Sequence, residues 1–186
     1  MRPILVLILC CFAGAACALD EDLNDLRGYL AFPPDYDGNR GRGRGDGEGG
    51  ADGGVRIGAM YARNLTEIRE VGGWFWAPEA SMTIADDDVE LFLLAATAHV
   101  GYAYRLPAHP NLHFEGNPFL GLGIGTWEAG RNDGTDPYWE LGLRAAALYT
   151  FDNGAQAGLD LRIMRGELDE LDNDGVMPCF VGGYRF

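Results

Sequence analysis

The feature that most constrains the fold is a period-two alternation of apolar and polar residues, which recurs in segments of about ten residues. The clearest segment runs from Trp139 to Phe151, where every second residue is apolar and the intervening residues include Glu140 and Arg144. Successive side chains of an extended strand point to opposite faces, so this pattern is typical of β-strands. The chain is therefore predicted to be all-β.

Polar breaks separate these segments, and short breaks alternate with longer, acidic ones. The short breaks fall at 64–67, at Pro107 and at 152–154, and the long ones at 35–54, 79–88, 129–136 and 167–175. This arrangement predicts an eight-stranded antiparallel up-and-down barrel with both termini on the short-turn side. Its strands are expected at 26–34, 55–63, 68–78, 89–106, 111–128, 137–151, 154–166 and 176–186. The first strand is the least defined because its apolar segment is short.

Such a barrel is compatible with two surroundings. A soluble barrel has its apolar residues inside, whereas a membrane barrel has them outside. Here the other register combines charges of both signs with glycines, and the interior of an eight-stranded barrel is just filled by side chains. We therefore predict a transmembrane barrel in which Arg144, Arg162 and Arg185 pair with Glu140, Asp160 or Glu115. The predicted lumen network comprises Glu115, Glu140, Arg144, Asp160, Arg162 and Arg185.

Aromatic residues near the strand ends support the membrane interpretation, because membrane barrels carry aromatic girdles at both interfaces. The band on the short-turn side is predicted to contain Tyr102, Tyr104, Tyr149, Phe151, Tyr184 and Phe186. The opposite band is predicted to contain Trp74, Trp76, Trp127 and Trp139, with Tyr138 beside them.

The N-terminus has the pattern of an export signal. Arg2 supplies a positive charge, Ile4 to Phe12 form a short apolar region, and Ala16-Cys17-Ala18 is a signal-peptidase site. The prediction is a signal peptide over 1–18 and a mature barrel over 19–186, with lipoprotein processing at Cys17 as the alternative. Cleavage after Ala18 would leave one cysteine, Cys179, which excludes an intrachain disulfide and a zinc site built from several cysteines.

The C-terminal strand ends in Phe186 and has Tyr184 and Phe180 in the same register. This ending, together with the segment PFLGLGIG at 118–125, resembles the small bacterial outer-membrane barrels, such as the membrane domain of OmpA and the opacity-type proteins. The resemblance covers residues 55–186. It implies a closed barrel in the bacterial outer membrane. It also implies that Phe180, Tyr184 and Phe186 belong to the signal recognised by the barrel-assembly machinery.

The charge balance excludes one class of partner. Acidic residues outnumber basic ones by 28 to 14, which gives a formal net charge of −14. Nucleic acid selects clustered positive charge, so we predict no nucleic-acid binding. The segment 35–54 contains Arg40, Arg42 and Arg44 but almost no apolar residue, and it is predicted to be a solvated loop. No apolar stretch after the N-terminus is long enough for a membrane-spanning helix.

The sequence gives little indication of catalysis. The chain has one serine, Ser81, which the strand assignment places in a long loop roughly 30 Å from His99. No serine–histidine pair for acyl transfer is then expected, and the chain is predicted not to be an enzyme. Glu170, Asp172 and Asp174 follow part of a calcium-loop spacing, but Val181 stands where the bidentate glutamate is needed. No cofactor is predicted, and weak calcium binding by the acidic loops stays an open alternative.

These observations predict a monomeric, non-enzymatic outer-membrane barrel with a structural or surface-interaction role and a lumen plugged by side chains. Its expected partners are outer-membrane lipid, lipopolysaccharide and the assembly machinery. One alternative is an exported soluble barrel that binds a small apolar ligand, and another is a lipid-modifying outer-membrane enzyme. The first alternative depends on which register faces outward: Leu141, Leu143, Leu159 and Leu161, or Arg144 and Arg162.

Overall fold

The computed structural model describes residues 24–38, 54–66, 72–86, 89–129, 132–168 and 171–186. Within these residues no helix is both long enough and apolar enough to cross a bilayer. The described chain forms nine strands: β1 (Asn24–Ala31), β2 (Asp37–Gly38), β3 (Val55–Asn64), β4 (Gly72–Ala85), β5 (Glu90–Leu106), β6 (His109–Ala129), β7 (Asn132–Thr150), β8 (Ala155–Leu168) and β9 (Leu171–Arg185).

The eight long strands form a closed antiparallel meander in the order β1, β3, β4, β5, β6, β7, β8 and β9. Pairing of β1 with β9 closes the barrel, with Tyr29 opposite Val181. Backbone hydrogen bonds join Asn24, at the start of β1, to Phe186, just after β9. The short β5–β6 and β7–β8 turns lie at this same end of the barrel. We call this the short-turn end, and the opposite one the hairpin end. The predicted eight-stranded antiparallel barrel is confirmed.

The fourth of these nine strands differs most from its predicted position. It was expected at 68–78 with a loop over 79–88, but β4 spans Gly72–Ala85 and stays paired with β5 as far as Ala85 and Leu91. The alternation continues through this segment, with Glu79, Ser81 and Thr83 buried inside the barrel. Polar residues there were interpreted as facing water, whereas the barrel interior accommodates them.

The predicted breaks at 129–136 and 167–175 are also shorter than expected. Strand β6 extends to Ala129 and β7 begins at Asn132, while β8 extends to Leu168 and β9 begins at Leu171. The acidic residues in these segments therefore lie largely on paired strands. Antiparallel backbone pairing continues past the end of the apolar pattern, so hydropathy marks the apolar band rather than the strand ends.

The first strand begins two residues earlier and ends three residues earlier than predicted, at Asn24–Ala31 instead of 26–34. Pro33 and Pro34 follow it, and proline has no N–H to donate to a sheet ladder. The chain then continues alongside β9 towards the hairpin end, where Asn173 donates a side-chain hydrogen bond to the Pro34 carbonyl at 2.8 Å. Strand β2 pairs with β9 beyond this point, with Asp37 opposite Asp172.

The apolar register faces outward. Leu143 and Leu159 are 61% and 60% exposed, whereas Arg144 and Arg162 are 3% and 0% exposed. Leu141 and Leu161 are exposed as well. This is the inverted arrangement expected of a membrane barrel and the opposite of a soluble one.

Apolar side chains fill the parts of the interior that charges do not occupy. At the hairpin end Tyr36, Leu91, Leu93, Tyr138 and Leu168 form one buried cluster. A second cluster contains Phe119, Leu148 and Met177, and a third contains Met60 and Phe75. Charged and apolar groups thus share the lumen.

Two predictions about the N-terminal region fall outside the described residues. These are the signal peptide over 1–18, with its alternative processing at Cys17, and most of the solvated loop predicted over 35–54.

Candidate functional site: the charged barrel interior

Seven of the eight long strands contribute a charged side chain to one buried network, and β5 contributes His99, which contacts Glu79. Period-two geometry places every second residue of each strand inside, so a few charged positions per strand converge on the axis. Over the described residues, five arginines and five carboxylates alternate in a continuous chain. Its order is Arg185, Asp25, Arg27, Glu115, Arg144, Asp160, Arg162, Glu79, Arg56 and Glu140.

This series of ion pairs begins at the short-turn end, where Arg185 of β9 donates from Nε to Asp25 of β1 at 2.7 Å. Asp25 also accepts from Arg27 at 2.5 Å. Arg27 then bonds both oxygens of Glu115 on β6, at 2.6 and 2.7 Å. Such a two-point contact fixes the planes of both groups and is among the strong hydrogen-bonded pairs.

The middle of the ion-pair series links β6, β7 and β8. Arg144 donates to Glu115 at 2.8 Å and, from Nε, to Asp160 at 2.5 Å. Arg162 lies 3.4 Å from Asp160 and donates to Glu79 of β4 at 2.9 Å. Its guanidinium carbon also lies 4.4 Å from the centre of the Tyr29 ring. Arg162 therefore has ionic and cation–π contacts, and its side chain is fully buried.

The series of ion pairs ends towards the hairpin end, at Glu140 of β7. Arg56 of β3 bonds both oxygens of Glu140, at 2.6 and 2.7 Å, and lies 3.6 Å from Glu79. Thr97 and Tyr138 donate their hydroxyls to Glu140 at 2.7 and 2.9 Å. Every formal charge in this part of the lumen is thus balanced and hydrogen-bonded, as burial in a confined site requires.

Three of these pairs join strands on opposite sides of the barrel. Each pair is separated by four positions in the eight-strand order: β1 and β6, β3 and β7, and β4 and β8. The pairs are Arg27–Glu115, Arg56–Glu140 and Arg162–Glu79. They cross the full width of the lumen, which sheet hydrogen bonds cannot do.

The structure brings together all six residues of the predicted lumen network, but partly through other partners. Glu115, Arg144, Asp160 and Arg162 are consecutive members of the chain. Arg185 pairs with Asp25, and not with Glu140, Asp160 or Glu115 as expected. Glu140 pairs with Arg56, and not with any of the three predicted arginines.

Sequence reasoning missed four members: Asp25, Arg27, Arg56 and Glu79. A signal was present for Arg56, because Val55 and Ile57 flank it and face outward. Arg27 similarly lies between Leu26 and Gly28, in the strand whose limits were least defined. Glu79 was missed because its segment was assigned to a loop.

The separation predicted for Ser81 and His99 was wrong. Ser81 lies inside β4 opposite Ala95, and His99 lies opposite Ala77, so the two are about four residues apart along the ladder, or about 13 Å. The Ser81 hydroxyl accepts from Arg56 at 2.8 Å. His99 contacts Glu79 at 3.1 Å and Asn117 at 2.9 Å. Ser81 and His99 thus have different hydrogen-bond partners and do not form a nucleophile–base pair.

One group of side chains has the composition of a metal site. Asp25, His113 and Glu115 each offer a ligand atom, and these atoms lie within 4.8 Å of one another. Asp25 already pairs with Arg27 and Arg185, and Glu115 with Arg27 and Arg144. A divalent cation would have to displace these guanidinium groups, so the chemistry favours ion pairing. Of the residues that follow part of a calcium-loop spacing, Glu170 lies outside the described part of the chain, and Asp172 and Asp174 lie on β9.

The predicted aromatic bands are correct on one side only. Tyr102, Tyr104, Tyr149, Phe151, Tyr184 and Phe186 are all exposed at the short-turn end. Trp74 joins them, because it lies opposite Tyr102 with the ring centres 5.7 Å apart, and Trp76 follows two residues later. Both were expected in the other band, and the displaced β4 explains the error.

At the hairpin end the predicted tryptophan band is thin. Trp139 lies on the outward register, but Trp127 shares the inward register of β6 and packs against the apolar cluster. Tyr138 is 1% exposed and points inward to Glu140. Of the C-terminal signature, Phe180, Tyr184 and Phe186 all face outward with more than half of each side chain exposed.

No protein-family model and no curated protein sequence matches the chain. Among solved structures, it is similar to Ail, the attachment invasion locus protein of Yersinia pestis. The TM-score is 0.57 at 11% identity, over 90% of this chain and all of Ail. Ail in complex with the heparin analogue sucrose octasulfate has a TM-score of 0.55 at 12% identity, over 90% of this chain and all of that one. Neisserial surface protein A (NspA) has a TM-score of 0.59 at 12% identity, over 89% of this chain and 98% of NspA.

Proposed function

We propose that the mature chain is a non-enzymatic outer-membrane protein with a structural or surface-interaction role. The proposal is supported by the fold, which is that of the small eight-stranded outer-membrane barrels represented by Ail and NspA. The observation that carries this proposal is the inverted exposure of the two registers, with Leu143 outside and Arg144 inside. Water would penalise the exposed leucines, whereas lipid accommodates them.

The lumen of the proposed protein is closed. The three cross-lumen ion pairs occupy the lumen from the short-turn end to its middle. The apolar cluster around Tyr36, Leu91 and Tyr138 occupies the hairpin end. Tyr36 comes from the segment that continues from β1 alongside β9, and it is 1% exposed. An eight-stranded barrel has no room for an aqueous channel beside such side chains. Transport through the lumen is therefore not part of the proposed function.

A surface role would be carried out at the hairpin end, where the paired strands extend past the apolar band. The printed names of the similar proteins, an attachment invasion protein and a surface protein, fit such a role. The ligand would differ from the sulfated analogue bound to Ail. The strand ends here carry Glu90, Glu128, Asp133 and Asp172, which repel polyanions.

The other expected partners follow from the same location. The outward apolar register would contact outer-membrane lipid and lipopolysaccharide, and the C-terminal strand would be recognised by the barrel-assembly machinery. A cleaved signal peptide ending at Ala18 would provide export. We expect the protein to be a monomer without a cofactor.

Both alternative functions are disfavoured by specific contacts. A soluble barrel with an apolar ligand would require Leu141 and Leu161 inside, but both are exposed. An acyl-transfer enzyme would require the Ser81 hydroxyl on a base, but this oxygen is bonded to Arg56.

Envelope fractionation combined with gel mobility tests the proposal. We expect the protein in the outer-membrane fraction, with different mobilities for heated and unheated samples, because a closed barrel resists detergent until it is heated. Free periplasmic protein with no mobility shift would contradict the proposal. Acyl transfer by the purified protein that is lost in Ser81→Ala would establish the enzyme alternative instead.

A further inference from the structure

A single arginine interrupts the apolar outer wall of the barrel near the short-turn end. Arg63 of β3 has the same parity as Val55 and Ile57, which are exposed, and so belongs to the outward register. A charge on this register is costly in lipid unless it reaches the membrane interface or a partner. All other charged side chains on the outward register of the described strands, such as Glu90 and Arg165, lie at the hairpin end.

Arg63 lies within the aromatic band of the short-turn end. Trp76 of β4 is directly opposite on one side, and Asn24 of β1 is directly opposite on the other. Aromatic belts lie at the level of the lipid headgroups, and outer-membrane barrels have their short turns on the periplasmic side. The methylene groups of an arginine lie against the apolar wall while its guanidinium reaches the interface. The Arg63 guanidinium therefore lies at the headgroups of the periplasmic leaflet.

The guanidinium of Arg63 lacks a partner among the described residues. It makes no hydrogen bond, ion pair or aromatic contact with them. By contrast, Arg165, the other outward arginine of the described strands, lies 3.8 Å from Asp174. A guanidinium presents its N–H groups in a planar arrangement that matches the oxygens of carboxylates and phosphates. Since the described outward register has no carboxylate at the short-turn end, the anion that matches Arg63 comes from outside the chain.

Two neighbouring polar groups also lack partners. Tyr61 precedes Arg63 by two residues on the same face, and it is 8% exposed with no hydrogen bond to its hydroxyl in the described part of the chain. Asn24 is 3% exposed, and its Oδ1 atom has no partner there either. Buried polar groups are nearly always hydrogen-bonded, so this pair of orphans indicates a missing ligand. The hydroxyl is a donor for a phosphate oxygen, and Oδ1 is an acceptor for a ligand hydroxyl or ammonium group.

From these features we propose that Arg63, Tyr61, Asn24 and Trp76 form a binding site for a phospholipid headgroup of the periplasmic leaflet. Arg63 bonds two phosphate oxygens, and Tyr61 donates its hydroxyl to the phosphate. Asn24 accepts from the hydroxyl or ammonium group that the headgroup carries beyond the phosphate, and the acyl chains follow the apolar wall at Leu26. The inference rests on the proposed outer-membrane location and adds a defined lipid contact to it.

The test measures lipid binding to the full mature protein in maltoside micelles, because this detergent contains no phosphate. Titration with phosphatidylglycerol, followed by native mass spectrometry, gives the Kd of the one-to-one complex. Arg63→Met should weaken binding by about fivefold or more, because it removes the cation. Arg63→Lys should give an intermediate Kd, because lysine keeps the charge but not the two-point geometry. Tyr61→Phe should weaken binding by about twofold.

Arg165 provides a matched control on the same register. Arg165→Met removes an outward arginine at the hairpin end and should change the Kd by less than about twofold. Equal weakening by Arg63→Met and Arg165→Met would overturn the proposal, because net charge alone would then explain binding.

Lipids without phosphate test the headgroup directly. Diacylglycerol with the same acyl chains should bind the unchanged protein no more tightly than it binds Arg63→Met. If diacylglycerol binds as tightly as phosphatidylglycerol, the wall recognises acyl chains only, and the proposal is wrong.

Other occupants give distinct results. If micromolar inorganic phosphate displaces phosphatidylglycerol, the ligand is free phosphate, which overturns the headgroup assignment. If D20N/E21Q/D22N tightens phosphatidylglycerol binding several-fold, the chain's own carboxylates compete for Arg63, and the proposal is wrong. Heat-dependent gel mobility verifies that each variant is folded. An outer-membrane barrel with the same Kd for Arg63→Met and the unchanged protein would refute only this inference, whereas a free periplasmic protein would refute the proposed function.

Discussion

Arg56 on β3 and Glu140 on β7 form a two-point ion pair, at 2.6 and 2.7 Å, between strands on opposite sides of the barrel. Both side chains are essentially inaccessible to solvent. Sheet hydrogen bonds join only neighbouring strands, so this pair connects parts of the wall that backbone pairing leaves independent. Arg27–Glu115 and Arg162–Glu79 do the same between other opposite strands.

Breaking one of these pairs should cost more than removing a surface charge. Arg56→Met leaves Glu140 buried with Thr97 and Tyr138 but without its cation, so we expect a loss of about 3–5 kcal/mol in the free energy of unfolding. Urea unfolding of protein refolded in detergent micelles measures this loss. The control Arg165→Met affects a side chain that is 59% exposed in a pair of 3.8 Å, and should cost less than about 1 kcal/mol.

The double variant R56M/E140Q separates the two parts of that cost. Removing both partners eliminates the uncompensated charge, so the double variant should be more stable than Arg56→Met alone. Equal destabilisation by Arg56→Met and Arg165→Met would show that Arg56 is solvated in the folded protein.

The predictability of the fold and of the network differed for a physical reason. Alternation over 139–151 was enough to predict a strand and its outward face, because side-chain direction in a strand depends only on parity. The partners of Arg185 and Glu140 depend instead on which strands lie across the lumen and at what height. That information resides in the register of all eight strands. A polar segment such as Glu79 to Thr83 is also ambiguous, because a charged lumen and water select the same residues.

Glycines on strand β6 allow a direct comparison of inside and outside. A Cβ at Gly121 would lie 2.7 Å from Glu140 Cγ and from the Thr97 hydroxyl, whereas a Cβ at Gly116 would meet nothing within 4 Å. Gly121→Ala should therefore destabilise the barrel by about 1–3 kcal/mol through overpacking around Glu140. Gly116→Ala should be neutral or stabilising by about 0.4–1 kcal/mol.

Urea midpoints of the two glycine variants, measured under the same detergent conditions, check this prediction. Equal midpoints would mean that the lumen around Glu140 has room for an additional methyl group, which contradicts a closed interior at this level.

The closed lumen predicts the absence of steady ion flow. Ions would have to pass the three cross-lumen pairs and then the cluster containing Tyr36, Leu91 and Tyr138. Protein reconstituted into planar lipid bilayers should show no stable conductance. Steady porin-like currents from the purified protein would contradict the proposed closure.

Phe186 is expected to contribute to assembly more than to stability. Its backbone pairs with Asn24 at 3.0 and 3.3 Å, while its ring is 53% exposed in the aromatic band at the short-turn end. Phe151 is 48% exposed in the same band but lies in the β7–β8 turn region, away from the terminal strand. Phe186→Ala and Phe151→Ala therefore remove rings of similar exposure. Each should lower stability in detergent by at most about 1.5–3 kcal/mol.

If the assembly machinery recognises the terminal aromatic residue, only Phe186→Ala should reduce the amount of heat-modifiable protein in the outer membranes of growing cells. Equal insertion of the two variants, with a larger loss of stability for Phe186→Ala, would make Phe186 a packing residue only.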